Sequence, residues 1–423
     1  MRLIHTADWH LGHTLAGHSR QLEHDRFLGF LLDQLDQHNA DGLLVCGDVF
    51  DHGHPSASAQ RQLFSFLADA RRRRPAMAIV VIGGNHDTAA RLDAPGPVLA
   101  GLDVTVLGGL PRHADGGLDL DRAVVPLKVG ADIAAVAVAV PFLRAPELTA
   151  AQARGSDLVV DGTRNVLERA VALARSKYPG LPVVALAHCE LAGARLSTSS
   201  ERQLFGGRHA LPQDVFAGVG VDYAALGHLH LAQQLGPDGR ARYSGSPLPL
   251  SMAERDYEHG VVVVDVDSDV KCRALKVPRT VDLLRIPDVD NEAGGDLDEV
   301  LDRLRAIDLP QRPLEEQPFV DVRVRLDRPN ADLRTQIDQA LEGKPVRLVS
   351  VKRIVVGDGL SLSDVVGGVD GAPPGLVELA PVAVFQRLYA RQYGGDASPE
   401  LVRAMRTLVD DDHGRDAVSR EVV

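Results

Sequence analysis

Five short apolar runs recur along this chain, and each of them ends in side chains that can bind a metal ion. Each run has the length of a buried strand. The first, at Leu3 and Ile4, leads to Asp8 and His10. The other four end at Gly47-Asp48, at Gly84-Asn85-His86-Asp87, at His188 and at Gly227-His228-Leu229-His230. Repetition of one pattern indicates a single site that is assembled from several strand ends.

Amphipathic segments separate the first three runs. Apolar residues within 21–39, and again within about 57–70, fall on one helix face. The resulting β-α-β-α-β order is typical of a parallel sheet with helices on its faces. Sites in such sheets lie at the carboxyl ends of the strands, so we expect the runs to converge there. Asp8 and His10 are two residues apart, and in extended backbone they point to the same side.

The pattern changes near Pro278. A short strand, a helix that begins with a predicted capping box of Asp296 and Glu299, an alternating strand, a second helix and a last strand follow up to residue 356. This order predicts a first domain over 1–278 and a small α+β domain over 279–356.

The alternating strand places Arg323 and Arg325 on its polar face. Two interpretations stay open for this face. The arginines contact DNA phosphates, or they belong to a solvated face whose charge Asp321 and Asp327 balance.

The end of the chain is predicted to carry two short helices behind a linker. Residues 357–374 are rich in Gly, Asp and Pro, as linkers are. Apolar stripes then follow within 375–423, at Phe385, Leu388 and Tyr389 and at Leu401, Met405 and Leu408. Helices of this length are unstable alone in water, so they either pack on the main body of the chain or bind a partner. The linker, whose composition predicts flexibility, favours a partner.

The composition is that of a soluble globular protein, with 45% hydrophobic and 25% charged residues among 423. No apolar run reaches the roughly 20 residues of a membrane span, and a cytoplasmic location is expected. Three widely spaced cysteines do not indicate a disulfide framework.

The net charge of −12 argues against a basic surface for nucleic acid over the whole protein. The run Arg71 to Arg74 is the exception. It fits either a DNA contact or a solvated helix end that complements the helix dipole.

Seven side chains at the strand ends are candidate metal ligands: Asp8, His10, Asp48, Asn85, His188, His228 and His230. Oxygen and imidazole ligands without thiolates favour manganese, iron or zinc over copper. Seven ligands are too many for one ion and suit two ions that share a carboxylate. Two ions about 3.5–4 Å apart can bind both the attacking and the leaving oxygen of a phosphoester displacement.

The motifs D-x-H, GD, GNHD, a single H and GHLH, in this order, resemble the signature of the calcineurin-type metallophosphoesterases. The stretches HTADWHLG, GDVFDHG and YSGSPLPLS resemble the nuclease subunits of that family, and the likeness extends over essentially the whole chain. The resemblance implies an α/β fold. It consists of a layered core with sheets flanked by helices, a small α+β capping domain and C-terminal helices.

The resemblance also implies roles for the residues. One ion would be bound by Asp8, His10, Asp48 and His230, and the other by Asp48, Asn85, His188 and His228. Asp48 would be the shared ligand, and His86 would contact the scissile phosphate. The family metal is typically Mn²⁺.

The function that the resemblance implies is a manganese-dependent DNA nuclease that acts on duplex ends and hairpins in DNA repair and recombination. Its partners would be an ATPase subunit and a second copy of the chain within a heterotetramer.

One departure concerns the residues that follow Phe50. Some relatives read GD-x-F-H, whereas Asp51 follows here and His52 comes next, so the implied substrate contact does not transfer to this histidine. A small-substrate phosphodiesterase or phosphatase of the same superfamily is the alternative function. A scaffold without catalysis is a third, although all seven candidate ligands are present.

Overall fold

The computed structural model describes residues 1–144, 148, 158–196, 210–236, 239–267, 269–288, 294–326, 330–355, 385–386, 389, 397–398 and 400–405. The chain divides into two compact units. One contains residues 1–324 and 331–353, and the other contains residues 325–330 and 354–423.

The first sheet of the larger unit has six strands, which are β1 (Arg2–Thr6), β4 (Gly42–Cys46), β5 (Ala78–Ile82), β6 (Val104–Leu107), β13 (Gly260–Val266) and β14 (Val270–Lys276). Their spatial order is β14-β13-β1-β4-β5-β6. Strands β1, β4, β5 and β6 are parallel, while β13 pairs antiparallel with β1. The predicted β-α-β-α-β unit is therefore present at the start of the chain.

The second sheet also has six strands, which are β7 (Val124–Val129), β8 (Asp132–Val140), β9 (Val183–His188), β10 (Tyr223–Gly227), β11 (Gln233–Leu235) and β12 (Ala241–Tyr243). Their order is β11-β12-β10-β9-β8-β7, with β8, β9, β10 and β12 parallel. The runs that end at His188 and His228 thus lie on a different sheet from the first three runs. The runs still converge, but they do so at one site that draws on the strand ends of two sheets.

Helices cover the outer face of each sheet. The helices of this part are α1 (Gln21–Gln37), α2 (Ala57–Arg73), α3 (Ala89–Asp93), α4 (Gly96–Ala100), α5 (Leu158–Lys177) and α6 (Val215–Gly218). Apolar residues of α1 and α2 pack on the first sheet, and those of α5 and α6 pack on the second. Two short strands, β2 (Thr14–Leu15) and β3 (His18–Ser19), form a hairpin between β1 and α1.

The two sheets pack face to face, because alternate residues of their strands enter one shared core. Leu44 and Cys46 of β4 point into this core, whereas Leu43 and Val45 point towards the helices. On β8 the inner positions are all alanine, at Ala135, Ala137 and Ala139. The result is a helix–sheet–sheet–helix layering, which confirms the α/β core with sheets flanked by helices.

The arginines of the Arg71 to Arg74 run form hydrogen bonds and ion pairs within the fold. Arg71 donates to Met77 O and Arg74 donates to Ala40 O, while Arg73 pairs with Asp33 and Asp36. These contacts favour the structural interpretation of the run over a DNA contact.

The segment predicted to form a capping domain, residues 279–356, contains β15 (Leu283–Ile286), β16 (Gly295–Asp296), α7 (Leu297–Arg305), β17 (Phe319–Leu326), α8 (Leu333–Ala340) and β18 (Arg347–Val355). Most of this segment belongs to the same compact unit as residues 1–278, so its boundaries as a domain stay a prediction, and we use the name capping domain in that sense. These strands form a separate sheet in the order β15-β17-β16, with β18 also paired to β17. The predicted capping box is wrong in one respect, because the N-cap residue Asp296 makes no side-chain capping hydrogen bond.

The polar face of β17 is covered at Asp321, half-buried at Arg323 and exposed at Arg325, so it is only partly solvated. Asp321 is buried and accepts hydrogen bonds from Arg285, Arg323 and Ser350. Arg325 is exposed. Alternation in the sequence identifies the two faces of the strand. It does not show that Arg285 of β15 and Ser350 of β18 form hydrogen bonds with Asp321 on the polar face.

Phe319 anchors the capping domain to the core. Its ring is fully buried, with the Arg347 guanidinium 3.8 Å from the ring centroid and that of Arg20 at 5.4 Å. Arg20 is itself buried, pairs with Glu23 and donates to Pro249 O at 2.8 Å. Cation–π contacts of this kind are strongest where water is excluded.

The smaller unit is described at only a few positions. Residues 385, 386, 389 and 400–405 are helical, and the Ser398 hydroxyl accepts a hydrogen bond from Leu401 N at 3.3 Å. That bond agrees with the predicted N-cap. The predicted linker, Leu388 and Leu408 lie outside the described residues.

All three cysteines are free, as expected. Among the described residues, no helix combines the length and the apolar character that crossing a membrane requires.

Truncation of Phe319 tests the docking of the capping domain. We expect Phe319→Ala to lower the free energy of unfolding by about 3–5 kcal/mol, because a buried aromatic ring and its cavity are both lost. The control is Leu314→Ala in the same domain, since Leu314 is 60% exposed and its loss should cost less than about 0.5 kcal/mol. Urea titration followed by tryptophan fluorescence measures both. Equal effects would show that Phe319 does not anchor the domain.

Candidate metal centre

The segment after β1 is held against the segment after β4 by main-chain hydrogen bonds. Asp8 N donates to Gly47 O and His10 N donates to Asp48 O, both at 3.0 Å. β1 ends at Thr6, and Asp8 and His10 have φ of 55° and 48°. The expectation that extended backbone aligns these two side chains is therefore wrong. Left-handed backbone outside the strand presents them to the site.

Asp48 and His228 also have positive φ, at 47° and 104°. Positive φ is uncommon for residues other than glycine and is found where surrounding structure enforces it, often at functional sites. The glycines of the motifs permit the close packing involved. A Cβ on Gly84 would collide with the Asp48 carboxylate, and one on Gly47 would collide with the His188 ring.

Asp48 lies between the imidazole of His10, on the side of the first sheet, and that of His188, on the side of the second sheet. We call these sides the two halves of the site. Asp48 Oδ2 is 3.6 Å from His10 Nε2 and 3.5 Å from His188 Nε2. Its Oδ1 accepts a hydrogen bond of 2.8 Å from His86 N. One carboxylate oxygen is thus placed to serve ligand sets on both sides of it.

Asn85 supplies an amide oxygen to the half of the site that contains His188 and His228. Its Oδ1 lies 2.9 Å from His188 Nε2 and 2.9 Å from His228 Nδ1. Separations near 3 Å are about those of neighbouring ligands on one transition-metal ion, whose bonds are roughly 2.0–2.2 Å long. This geometry fits a shared cation.

Among the candidate ligands, His188, His230 and His10 each have Nδ1 close to an oxygen atom outside the predicted ligand set. His188 Nδ1 donates to Cys46 O at 2.8 Å, and His230 Nδ1 bonds Glu254 Oε1 at 3.0 Å. His10 Nδ1 lies 3.3 Å from Asp51 Oδ1. Such contacts set the tautomer and the ring orientation of metal-binding histidines.

Charge coupling across the site is strong. Burial alone would raise the pKa of Asp48, but His188, His10 and His86 lower it far below its ordinary value. Burial would likewise lower the pKa of His188, yet the Asp48 carboxylate raises that pKa to about 9. Burial and the neighbouring His188 lower the pKa of His228 to about 3. Burial raises the pKa of Asp8.

The residues fit one or more bound metal ions. Three groups bring their ligand atoms within 4.8 Å of one another: Asp8, His10 and His230; His10, Asp48 and His86; and Asp8, Asp48 and His188. Both ring nitrogens of His10 are buried and, among the described residues, have no hydrogen-bond partner, although Nδ1 lies within ion-pair distance of Asp51. A buried nitrogen without a hydrogen bond is costly unless a cation binds it.

His86 differs from the seven candidate ligands in its contacts. Its main chain donates to Asp48, and its Nδ1 lies 2.6 Å from Asp51 O. The ring is only partly buried and lies 4.7 Å, centroid to centroid, from the ring of His10. His86 is therefore close enough to belong to a metal cluster and exposed enough to meet a substrate.

Three carboxylates around the site contact the candidate ligands or their loops and are not among the site residues predicted from the sequence. Asp51 and Glu254 contact ligand imidazoles. Asp87 is buried and accepts hydrogen bonds from the main-chain N–H groups of Val49, Phe50 and Gly84. Burial and the Asp48 charge raise the pKa of Asp87 to about 6. Asp87 could have been identified from the sequence because it ends the GNHD motif, whereas no motif contains Glu254.

His52, to which the implied substrate contact does not transfer, is exposed.

The sequence matches known families over most of its length. Residues 1–232 match the family model of calcineurin-like phosphoesterases, and residues 279–393 match a model described as the type 5 capsule protein repressor C-terminal domain, SbcD_C. A Rhodobacter capsulatus protein, named as the SbcD component of nuclease SbcCD, is 43% identical over 83% of this chain and 87% of its own length. The chain belongs to the SbcD family of calcineurin-like phosphoesterases. The family resemblance found in the sequence is thereby confirmed.

A second SbcD relative is less similar in sequence but matches a comparable share of the chain. The Escherichia coli protein of that name is 30% identical over 84% of this chain and 85% of its own length. Among solved structures, a dimetal phosphatase from Danio rerio is 11% identical, with a TM-score of 0.41, and covers 66% of this chain and 97% of its own.

Asp87 is expected to hold the Asp48 and Asn85 loops of this SbcD protein together. Asp87→Asn keeps the shape but replaces one accepting oxygen by a donor, so at least one buried N–H group loses its partner. We expect a cost of about 1–3 kcal/mol in the free energy of unfolding, measured by urea titration. Asp132→Asn is the control because Asp132 is exposed at the start of β8. Equal stability of the two variants would contradict this role.

Proposed function

We propose that this chain is a metal-dependent DNA nuclease that hydrolyses phosphodiester bonds with two divalent ions. The observation that carries the proposal is the position of Asp48 Oδ2, 3.6 Å from His10 Nε2 and 3.5 Å from His188 Nε2. A carboxylate oxygen between two ligand sets is what a shared ligand of two ions requires.

The proposed ligand sets follow the two halves of the site. Asp8, His10, Asp48 and His230 would bind one ion, and Asp48, Asn85, His188 and His228 would bind the other. Mn²⁺ is the proposed metal. When bound, such ions lower the pKa of a coordinated water and stabilise the charge of a phosphoryl displacement.

The protein itself contributes orientation. The Cys46 carbonyl and the Glu254 carboxylate hold the rings of His188 and His230, so that their nitrogens need not reorganise when ligands bind. His86 would contact the scissile phosphate and stabilise developing charge or protonate the leaving oxygen. Its partial exposure supports a role towards substrate.

DNA is proposed as the substrate because the relatives that match most of the chain are named as components of the nuclease SbcCD. The proposed activities are those of a double-strand exonuclease on duplex ends and of an endonuclease on hairpins or single strands. The proposed process is DNA repair and recombination, and the proposed location is the cytoplasm. The capping domain favours this over the alternative, a small-substrate phosphodiesterase, which has little need of one.

Arg323 and Arg325 are the two residues for which the sequence predicts a substrate contact. Arg325 is exposed, which supports a phosphate contact for it. Arg323 forms an ion pair of 3.0 Å with the buried Asp321. This pairing supports a structural role for Arg323 inside the capping domain.

The proposed partner is an SbcC-type ATPase, bound by the C-terminal helices, with two copies of this chain in a heterotetramer. Leu401 is 43% exposed, and the rings of Phe385 and Tyr389 lie 6.0 Å apart. These apolar residues could form part of a helix face that docks in a partner groove.

The function is tested with labelled hairpin and blunt duplex DNA, Mn²⁺ and the purified chain, with and without the ATPase and ATP. We expect cleavage by the wild type and none by Asp48→Ala, which should also lose both ions in metal analysis. Asp132→Ala, at an exposed site, should match the wild type. Hydrolysis of small phosphodiesters without DNA cleavage under any condition would favour the alternative function.

His86 is tested by single-turnover cleavage. We expect His86→Ala to retain its metal ions and its DNA affinity while the chemical step slows by about 10²–10⁴-fold, the usual effect of losing a positioned acid or base. His113→Ala is the control, since His113 is largely exposed. A variant that loses a metal ion would instead identify His86 as a ligand.

The partner site is tested by a chain that ends at Gly371. We expect it to retain its ions and its Mn²⁺-dependent nuclease activity but to fail to co-purify with the ATPase. Complex formation with wild-type affinity would mean that the ATPase binds elsewhere.

A further inference from the structure

Glu254 is a buried carboxylate that lies 24 residues beyond the ligand it contacts. It is 0% exposed, and its Oε1 is 3.0 Å from His230 Nδ1. Its Oε2 accepts a hydrogen bond of 2.8 Å from Leu250 N, and the Ser251 hydroxyl lies 3.5 Å from Oε1. Both oxygens are therefore engaged as acceptors.

These contacts determine which nitrogen of His230 carries the proton. An ionised carboxylate can only accept hydrogen bonds, so the proton of a neutral His230 ring must reside on Nδ1. Nε2 then presents a lone pair to the cluster of Asp8 and His10, whose ligand atoms lie within 4.8 Å of that of His230.

We propose that Glu254 is a positioning residue that fixes the tautomer and orientation of His230 for metal binding. The inference deepens the two-ion function proposed above and rests on it. A charged acceptor behind an imidazole raises the basicity of the ring as a ligand. The other half of the site differs, because His188 is backed by the neutral Cys46 carbonyl.

The segment that carries Glu254 is held from two sides. Within the core, Tyr257 N donates to Glu254 O at 3.0 Å, and His259 Nε2 lies 3.1 Å from the same oxygen. From the capping domain, Arg285 donates to Met252 O at 3.0 Å, and Met252 packs on the apolar cluster that contains Phe319. The 3₁₀ turn Met252–Glu254 is thus fixed partly by the capping domain. Residues of the capping domain therefore help to hold the turn whose Glu254 contacts His230.

Glu254→Gln separates positioning from packing because it keeps the volume of the side chain. An amide has one acceptor and one donor group in place of two acceptors. If its oxygen faces Leu250, its NH₂ faces His230 and forces the proton onto Nε2. If it turns round, the buried Leu250 N–H loses its partner. Glu258→Gln is the control, since Glu258 is exposed in the same segment.

The first measurement is calorimetric titration of the metal-free full-length chain with Mn²⁺. We expect Glu254→Gln to weaken binding of one ion by about 10–100-fold, the usual effect of removing such a partner, and to leave the other nearly unchanged. Glu254→Asp, which keeps both acceptors with a shorter reach, should fall between Gln and the wild type. Unchanged affinities, or equal weakening of both ions together with a fall in melting temperature, would overturn the proposal.

The second measurement is the His230 tautomer in the metal-free chain, read from long-range ¹H–¹⁵N correlations and assigned with His230→Asn. We expect Nδ1–H in the wild type and its loss in Glu254→Gln, because the buried Leu250 N–H keeps the amide oxygen on its own side. An Nε2–H wild type would overturn the inference. A wild type that binds no Mn²⁺ would refute the proposed function, whereas the tautomer would still test Glu254. If the Gln variant does not fold, Glu254→Asp provides both readouts.

Discussion

The burial of the Asp48 carboxylate is the constraint on which the site depends. A buried anion is costly unless positive charge or hydrogen bonds compensate it. Here the compensation comes from His10 on the first sheet's side and His188 on the second's, with His86 N as a further donor. The left-handed backbone at Asp48, the glycine at position 84 and the hydrogen bonds of Asp87 all hold this one carboxylate in place.

The sequence was sufficient for the elements and for most of the site. Apolar runs of strand length, such as Gly42–Cys46, and amphipathic helices, such as Gln21–Gln37, have patterns that local physics determines. Metal-type side chains at the run ends identified the residues that the structure brings together. The partition of these runs between two sheets was not predictable, because pairing partners such as β9 and β10 are chosen by tertiary packing.

Residues that act through another residue were the ones missed. Glu254 and Asp51 have ordinary sequence surroundings, and only the folded chain brings them to Nδ1 atoms of His230 and His10. For Arg323 the sequence left two interpretations open, a DNA contact or a face whose charge Asp321 and Asp327 balance. The ion pair with Asp321 agrees with the second, but the sequence did not show that Asp321 is buried. A pattern of polar positions does not show which of them another layer will cover.

The alanines on the inner face of β8 have a consequence for the candidate metal centre. Ala135, Ala137 and Ala139 occupy the layer between the two sheets, and small side chains let sheets approach closely. The ligands at the rim are carried by both sheets, so the thickness of this layer acts as a spacer that sets how far apart the two halves stand. Bulkier residues there would push the two sheets apart. The protein would still fold, but its two ligand sets would no longer reach a common carboxylate. Natural selection on these positions would therefore act on the distance between the two ligand sets as well as on stability.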